Sequence, residues 1–172
     1  MTLKMRKVVS NTTPLITLLS IGKLNLLKEL YGQIIVPFAV YQEIEHGKDK
    51  PFYTDLSMID WIEIKKINNP YTVKYLSDLD EGEAEVIILA NELKADLVLL
   101  DEKLARSFAQ RLSITYTGTL GILLKAKQLR LIESIGQCIK SMKINGIWFS
   151  NSLIEEILKL ANETRDTDLN SK

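Results

Sequence analysis

The residues in this chain with a plausible chemistry are carboxylates that fall where an α/β fold presents its ligand site. Asp101 directly follows the apolar run Leu97–Leu100 (LVLL), and Asn11 directly follows Lys7–Ser10 (KVVS). A polar residue just past a buried parallel strand emerges at the rim where such folds bind ligands. Glu83 stands three residues after Asp80, at the head of a helix that runs back antiparallel to the strand before Asp101. Its start therefore reaches the same sheet edge. Glu43 interrupts an otherwise apolar helix, with Glu45 as a rival two residues on. Each has a plainer reading beside the chemical one. Asp101 suits the cap of the following helix. Glu83 suits the third position of a capping box led by Asp80. A glutamate on a helix, whether Glu43 or Glu45, is ordinarily a solvated surface residue.

Carboxylates converging from separate elements repel one another unless a cation holds them, and hard oxygen donors select Mg2+ or Mn2+ over Zn2+. Such an ion can activate water for in-line attack on a phosphodiester. Other chemistries find little support. One histidine (His46) and one cysteine (Cys138) rule out a His/Cys metal cluster and an internal disulfide. No GxxxxGKS phosphate loop, no GxGxxG after the first strand and no GxSxG elbow occurs. Lys103, Arg106, Arg111, Lys125, Lys127 and Arg130 offer a local basic rim for phosphates, or else solvated helix faces.

The elements that must position these groups alternate. Strands are expected at Lys7–Ser10, Ile34–Val36, Trp61–Ile64, Leu97–Leu100 and near Ser113–Tyr116. Helices are expected from Pro14 to Gly22, through Leu24–Tyr31, over Phe38–Glu45, from Asp80 to Leu93, over Glu102–Arg111 and Thr119–Gln128, with two more at about Ile132–Met142 and Ser150–Glu163. Residues 48–60 are ambiguous, and Tyr71–Leu76 suggests a short helix. Alternation of this kind implies right-handed crossovers and a parallel sheet covered by helices on both faces.

The 172 residues, 46% hydrophobic, read as one domain over 1–163 with a polar tail at 164–172. Lysine plus arginine equals aspartate plus glutamate at 22 each, so any nucleic-acid contact must be local. With no run of about 18 apolar residues and no signal-peptide pattern, a soluble, cytoplasmic, membrane-free protein is expected.

In order and spacing, VVSNTTPLITLLSIGKLNLLKEL, VPFAVYQEIEHG, LDEGEAEVIILANELKADLVLLDEKLAR and TGTLGILLKAKQLRLI resemble the PIN-domain-like prokaryotic proteins related to VapC toxins. The likeness runs from about Arg6 to Glu163. It implies a three-layer α/β/α fold with a five-stranded parallel sheet in the order 3-2-1-4-5. It also implies an acidic site for Mg2+ or Mn2+, ribonuclease activity restrained by an antitoxin protein, and a homodimer. The family's acidic positions fall on Asn11, Glu43, Glu83 and Asp101, of which Glu43, Glu83 and Asp101 would be catalytic and all four would hold the metal. Thr12 and Thr119 fall where relatives often carry a hydroxyl near it, and Lys103 and Arg106 would lie on the RNA-facing rim. Asn11 departs from the family, since an amide oxygen can ligate a hard cation but adds no negative charge. The alternative is therefore a weakened or inactive PIN-fold protein that binds nucleic acid or a protein partner.

Overall fold

A computed structural model describes residues 6–164; expectations for residues 1–5 and for the polar tail from 165 onward lie outside the described residues. Five parallel strands, β1 (Val8–Ser10), β2 (Ile34–Pro37), β3 (Ile62–Lys65), β4 (Leu97–Leu99) and β5 (Tyr116–Thr117), form one sheet in the order β3-β2-β1-β4-β5. The two central strands are fully buried: Val8, Val9, Val98, Leu99 and Leu100 have no exposed surface. Their sequences are accordingly continuous apolar runs rather than alternating ones. Helices α1 (Thr12–Ser20), α2 (Leu26–Tyr31), α3 (Phe38–His46), α4 (Glu81–Leu93), α5 (Lys103–Arg111), α6 (Thr119–Gln128), α7 (Ile135–Ile144) and α8 (Asn151–Leu160) flank it.

Register positions the site. Ser10 lies opposite Leu99 and the Asn11 amide donates to the Leu99 carbonyl at 2.9 Å, so β1 and β4 end level and deliver Asn11 and Asp101 side by side. On the other flank of β4, the Leu100 amide donates to the Thr117 carbonyl at 2.8 Å, which brings Gly118 and Thr119 beside Asp101. The topology reverses between β1 and β4, the point where ligands of open α/β sheets bind.

Some boundaries differ from the sequence expectation for local reasons. The last strand is Tyr116–Thr117 rather than Ser113–Tyr116, because Ser113 takes a left-handed conformation (φ 56°) as it closes the turn after α5. The seventh helix begins at Ile135, not Ile132, because the Ser134 hydroxyl caps it by accepting from the Gln137 amide. The eighth stops at Leu160, short of Glu163, and Asn162 turns left-handed (φ 54°) just beyond. The ambiguous stretch holds one 3-10 turn, Leu56–Met58, and Pro70–Leu76 is likewise 3-10 rather than α. Among the described residues no helix is long and apolar enough to cross a membrane.

Candidate functional site

Asp101 leaves β4 with its carboxylate half-buried and does not cap α5. It accepts instead from the Thr119 amide at 2.8 Å and the Thr119 hydroxyl at 2.5 Å, across the β4–β5 edge. Arg106 completes this corner. Its Nε donates to the Leu100 carbonyl at 2.7 Å and its Nη2 lies 3.8 Å from Asp101 Oδ1. Gly118 makes the arrangement possible, because a methyl group built there would overlap both the Arg106 guanidinium and the Asp101 carboxylate.

Glu83 occupies the first turn of α4, and both readings of it hold together. Asp80 Oδ1 accepts from the Glu83 amide at 2.7 Å while Glu83 Oε2 accepts from the Asp80 amide at 3.1 Å, a complete capping box. Yet Glu83 is only 9% exposed. Burial pushes its carboxyl above the ordinary carboxylate range, and the charges of Asp80, Glu102 and Glu43 push the same way. Asp101 is raised too, by burial first and by Glu102 as well, against the opposing pull of Thr119 and Arg106. Burial is the main cause for both groups, with neighbouring carboxylates adding to it.

Glu43 is exposed on α3 and accepts from the Thr12 hydroxyl at 2.5 Å. It abuts α4 where Gly82 has no side chain: a Cβ there would sit 3.2 Å from Glu43 Oε2. The rival Glu45 is turned elsewhere, bonded to the Tyr53 hydroxyl at 2.5 Å and to Lys48 at 2.6 Å. Asn11 is 3% exposed, and its Nδ2 donates to Glu102 Oε2 at 3.0 Å. The Thr13 hydroxyl donates to the other oxygen of the same carboxylate.

Glu102 is thus a member of the cluster that sequence reasoning missed, having read it only as the start of a helix. It is the N-cap residue of α5 but makes no side-chain cap bond, so its carboxylate reaches back across β4 to β1. The available signal was the Asp-Glu pair at the strand end, opposite an asparagine that can donate to a carboxylate where an aspartate could not. The basic rim does not assemble as a group. Arg106 joins the site, whereas Arg111 lies over the Phe108 ring, Lys125 over Tyr31, and Lys127 against Glu163. Lys103 is an exposed residue at the start of α5.

All the acidic donors are hard oxygens, which suits Mg2+ or Mn2+ and not a thiophilic metal. Among the described residues, however, no three acidic, histidine or cysteine side chains form an assembled metal-binding group. Each carboxylate is held by a neighbouring hydroxyl, amide or backbone N–H instead. A cleft of about 560 Å3 opens from Asp101, Glu102 and Arg106 toward the segment joining α7 to α8.

None of the curated proteins matches the chain. A family model described as a PIN domain matches residues 7–163, most of the chain, in agreement with the sheet order and the acidic rim. The chain belongs to the PIN-domain family, a nuclease-type fold that generally uses divalent metal ions.

Proposed function

We propose that the protein is a metal-dependent endoribonuclease, the toxin of a toxin–antitoxin pair whose antitoxin is a protein, acting in the cytoplasm as a homodimer through the single domain 1–163. The observation that carries the nuclease reading is the set of carboxylates Glu43, Glu83, Asp101 and Glu102 carried toward one sheet edge by α3, α4 and the end of β4, with Glu83 and Asp101 raised by burial first and by neighbouring carboxylates second. Asp101, Glu83, Glu43 and Glu102 would hold the cation, with the Asn11 amide oxygen as a neutral donor. Bound there, Mg2+ or Mn2+ would supply a lowered pKa for a water nucleophile and charge neutralisation on the scissile phosphate.

The remaining work falls to the chain itself. Thr119 fixes Asp101 through two hydrogen bonds, and Thr12 fixes Glu43. Arg106, tethered through Nε, keeps a cationic Nη2 beside the carboxylates, placed to meet a phosphate oxygen. With zero net charge overall, this local cation matters more than any long-range field.

Metal-dependent thermal stabilisation tests the reading. A cation present at about 100 times its Kd is worth about 2.7 kcal/mol, roughly 5–10 °C in Tm for a chain of this size. Asp101→Ala is expected to remove the rise, and an unshifted native Tm at millimolar Mg2+ and Mn2+ would count against a metal site. One observation favours a second reading, a PIN-fold binding protein without catalysis: Asn11 donates a hydrogen bond to Glu102 where the family carries an acid. RNA cleavage by Asn11→Asp but not by the native chain would support it.

A further inference from the structure

Two chemically different sets of residues line the cleft beside the acidic rim: the charged Asp101, Glu102 and Arg106, and the aromatic Tyr116 at the end of the sheet with Trp148 in the segment between α7 and α8. Trp148 is 59% exposed, an unusual disposition for the largest apolar side chain, and the Lys143 ammonium lies 5.4 Å from its ring centroid. Tyr116 is 36% exposed and carries the Arg106 guanidinium 5.5 Å from its ring centroid. The same arginine therefore lies against an aromatic ring, Tyr116, and beside a carboxylate, Asp101. A planar ligand with an adjoining phosphate matches this sequence of surfaces. The ring stacks on an aromatic face or a guanidinium plane, the phosphate meets Arg106, and the next diester reaches the carboxylates. At about 560 Å3 the cleft falls within the range of about 300–1,000 Å3 typical of small-ligand sites.

We propose that this cleft is a nucleobase subsite, in which Trp148 stacks an unpaired base flanking the phosphodiester presented to Asp101 and Glu102. The proposal deepens the nuclease reading and rests on it for the identity of the polymer. An RNA strand is favoured over a protein segment because the cleft is continuous with the acidic rim and joins π surface to a phosphate-binding cation. The subsite requires the base to be single-stranded, since a ring paired within a duplex cannot present a free face to Trp148.

Mononucleotides contain no internal diester, so binding can be measured in Mg2+ without turnover. The full chain is titrated with the four nucleoside 5′-monophosphates and with ribose 5-phosphate as a base-free control, following tryptophan fluorescence. Trp61 is buried at 8% exposure, so a change reports on Trp148. Nucleotides are expected to quench and ribose 5-phosphate is not. By calorimetry, Trp148→Phe is expected to retain binding, and Trp148→Ala to weaken it by about 5-fold to 150-fold, the range for loss of one base–aromatic stack. Equal binding of ribose 5-phosphate, or unchanged affinity in Trp148→Ala, would overturn the proposal. Absence of nucleotide binding would overturn it as well, and a dimer that dissociates in Trp148→Ala would then assign the surface to a second copy of the chain. Parallel RNA cleavage assays separate the two ideas. Nucleotide binding without cleavage removes the nuclease reading and leaves the subsite; cleavage equal in native and Trp148→Ala protein does the reverse.

Discussion

At Glu83 the demands of folding and of a charged site conflict. Its folded carboxyl is raised by burial and by neighbouring charges, so folding favours the protonated form. The contribution of that form is complete below the ordinary value of 4.5 and is lost as pH rises through the raised folded value. At neutral pH in EDTA, Glu83→Gln removes the penalised charge while glutamine keeps the capping box. A Tm higher by roughly 2–4 °C, worth about 1 kcal/mol at this chain length, is expected together with loss of cleavage. The gain should vanish as the pH is lowered through 4.5; a lower Tm in the variant at pH 7 would contradict the electrostatic account. Asn11→Asp carries the opposite expectation. It replaces a donor to Glu102 with a carboxylate facing a carboxylate, so the metal-free Tm should fall while the metal-induced rise should grow. Differential scanning fluorimetry with and without Mn2+ reads both. The positions of Asp101 and Glu83, one just beyond an apolar run and one in a capping box, were legible in sequence, while the roles expected of them are implied by the family resemblance. Glu102 was not legible, because its place depends on a side chain turned back across the β1–β4 register.

Two inter-element joints are held by close packing or by hydrogen bonds. At the β5–α6 joint, Gly118→Ala would drive a methyl into Asp101 and Arg106, so cleavage should fall at least about 10-fold, the effect of misplacing reacting groups, with a smaller loss of stability. A kinetic comparison with Asp101→Ala checks this, and native-like rates in Gly118→Ala would refute it. At the far side, Glu163 ties the chain beyond α8 to the start of α7. It accepts from the Ile135 amide at 2.8 Å, the Gly136 amide at 2.9 Å and the Ser134 hydroxyl at 2.8 Å. Burial alone would raise its carboxyl, but these donors and Lys127 hold it below the ordinary 4.5. Its contribution is therefore full above 4.5 and lost as pH falls through the lowered folded value. Glu163→Ala leaves buried donors unpaired and should cost about 1–3 kcal/mol in urea unfolding at pH 7, with little difference from the native chain once both are acidified. Sequence located α4 well because a capping box marks its start, and it placed α6 at Thr119–Gln128, the span observed. It misplaced β5 and the start of α7, where a single left-handed serine and a serine cap decide the boundary and neither perturbs the hydrophobic pattern.

For the molecule as a whole, alternating apolar strands and helices predicted the parallel α/β class, and the order β3-β2-β1-β4-β5 follows the family resemblance. That order places the reversal between β1 and β4, so Asn11 and Asp101 emerge side by side and Glu102 reaches back to Asn11, while Glu43 and Glu102 lie close enough for their charges to act on Glu83. Balanced charge means that nucleic-acid contact, as proposed, must be local. The central claim, a metal-dependent nuclease, is tested most directly by incubating the purified protein with labelled single-stranded RNAs in Mn2+, in Mg2+ and in EDTA, with Asp101→Ala in parallel. Cleavage that requires metal and disappears in Asp101→Ala is the expected result. No cleavage by the native chain in either metal, or cleavage that survives EDTA and Asp101→Ala alike, would contradict it.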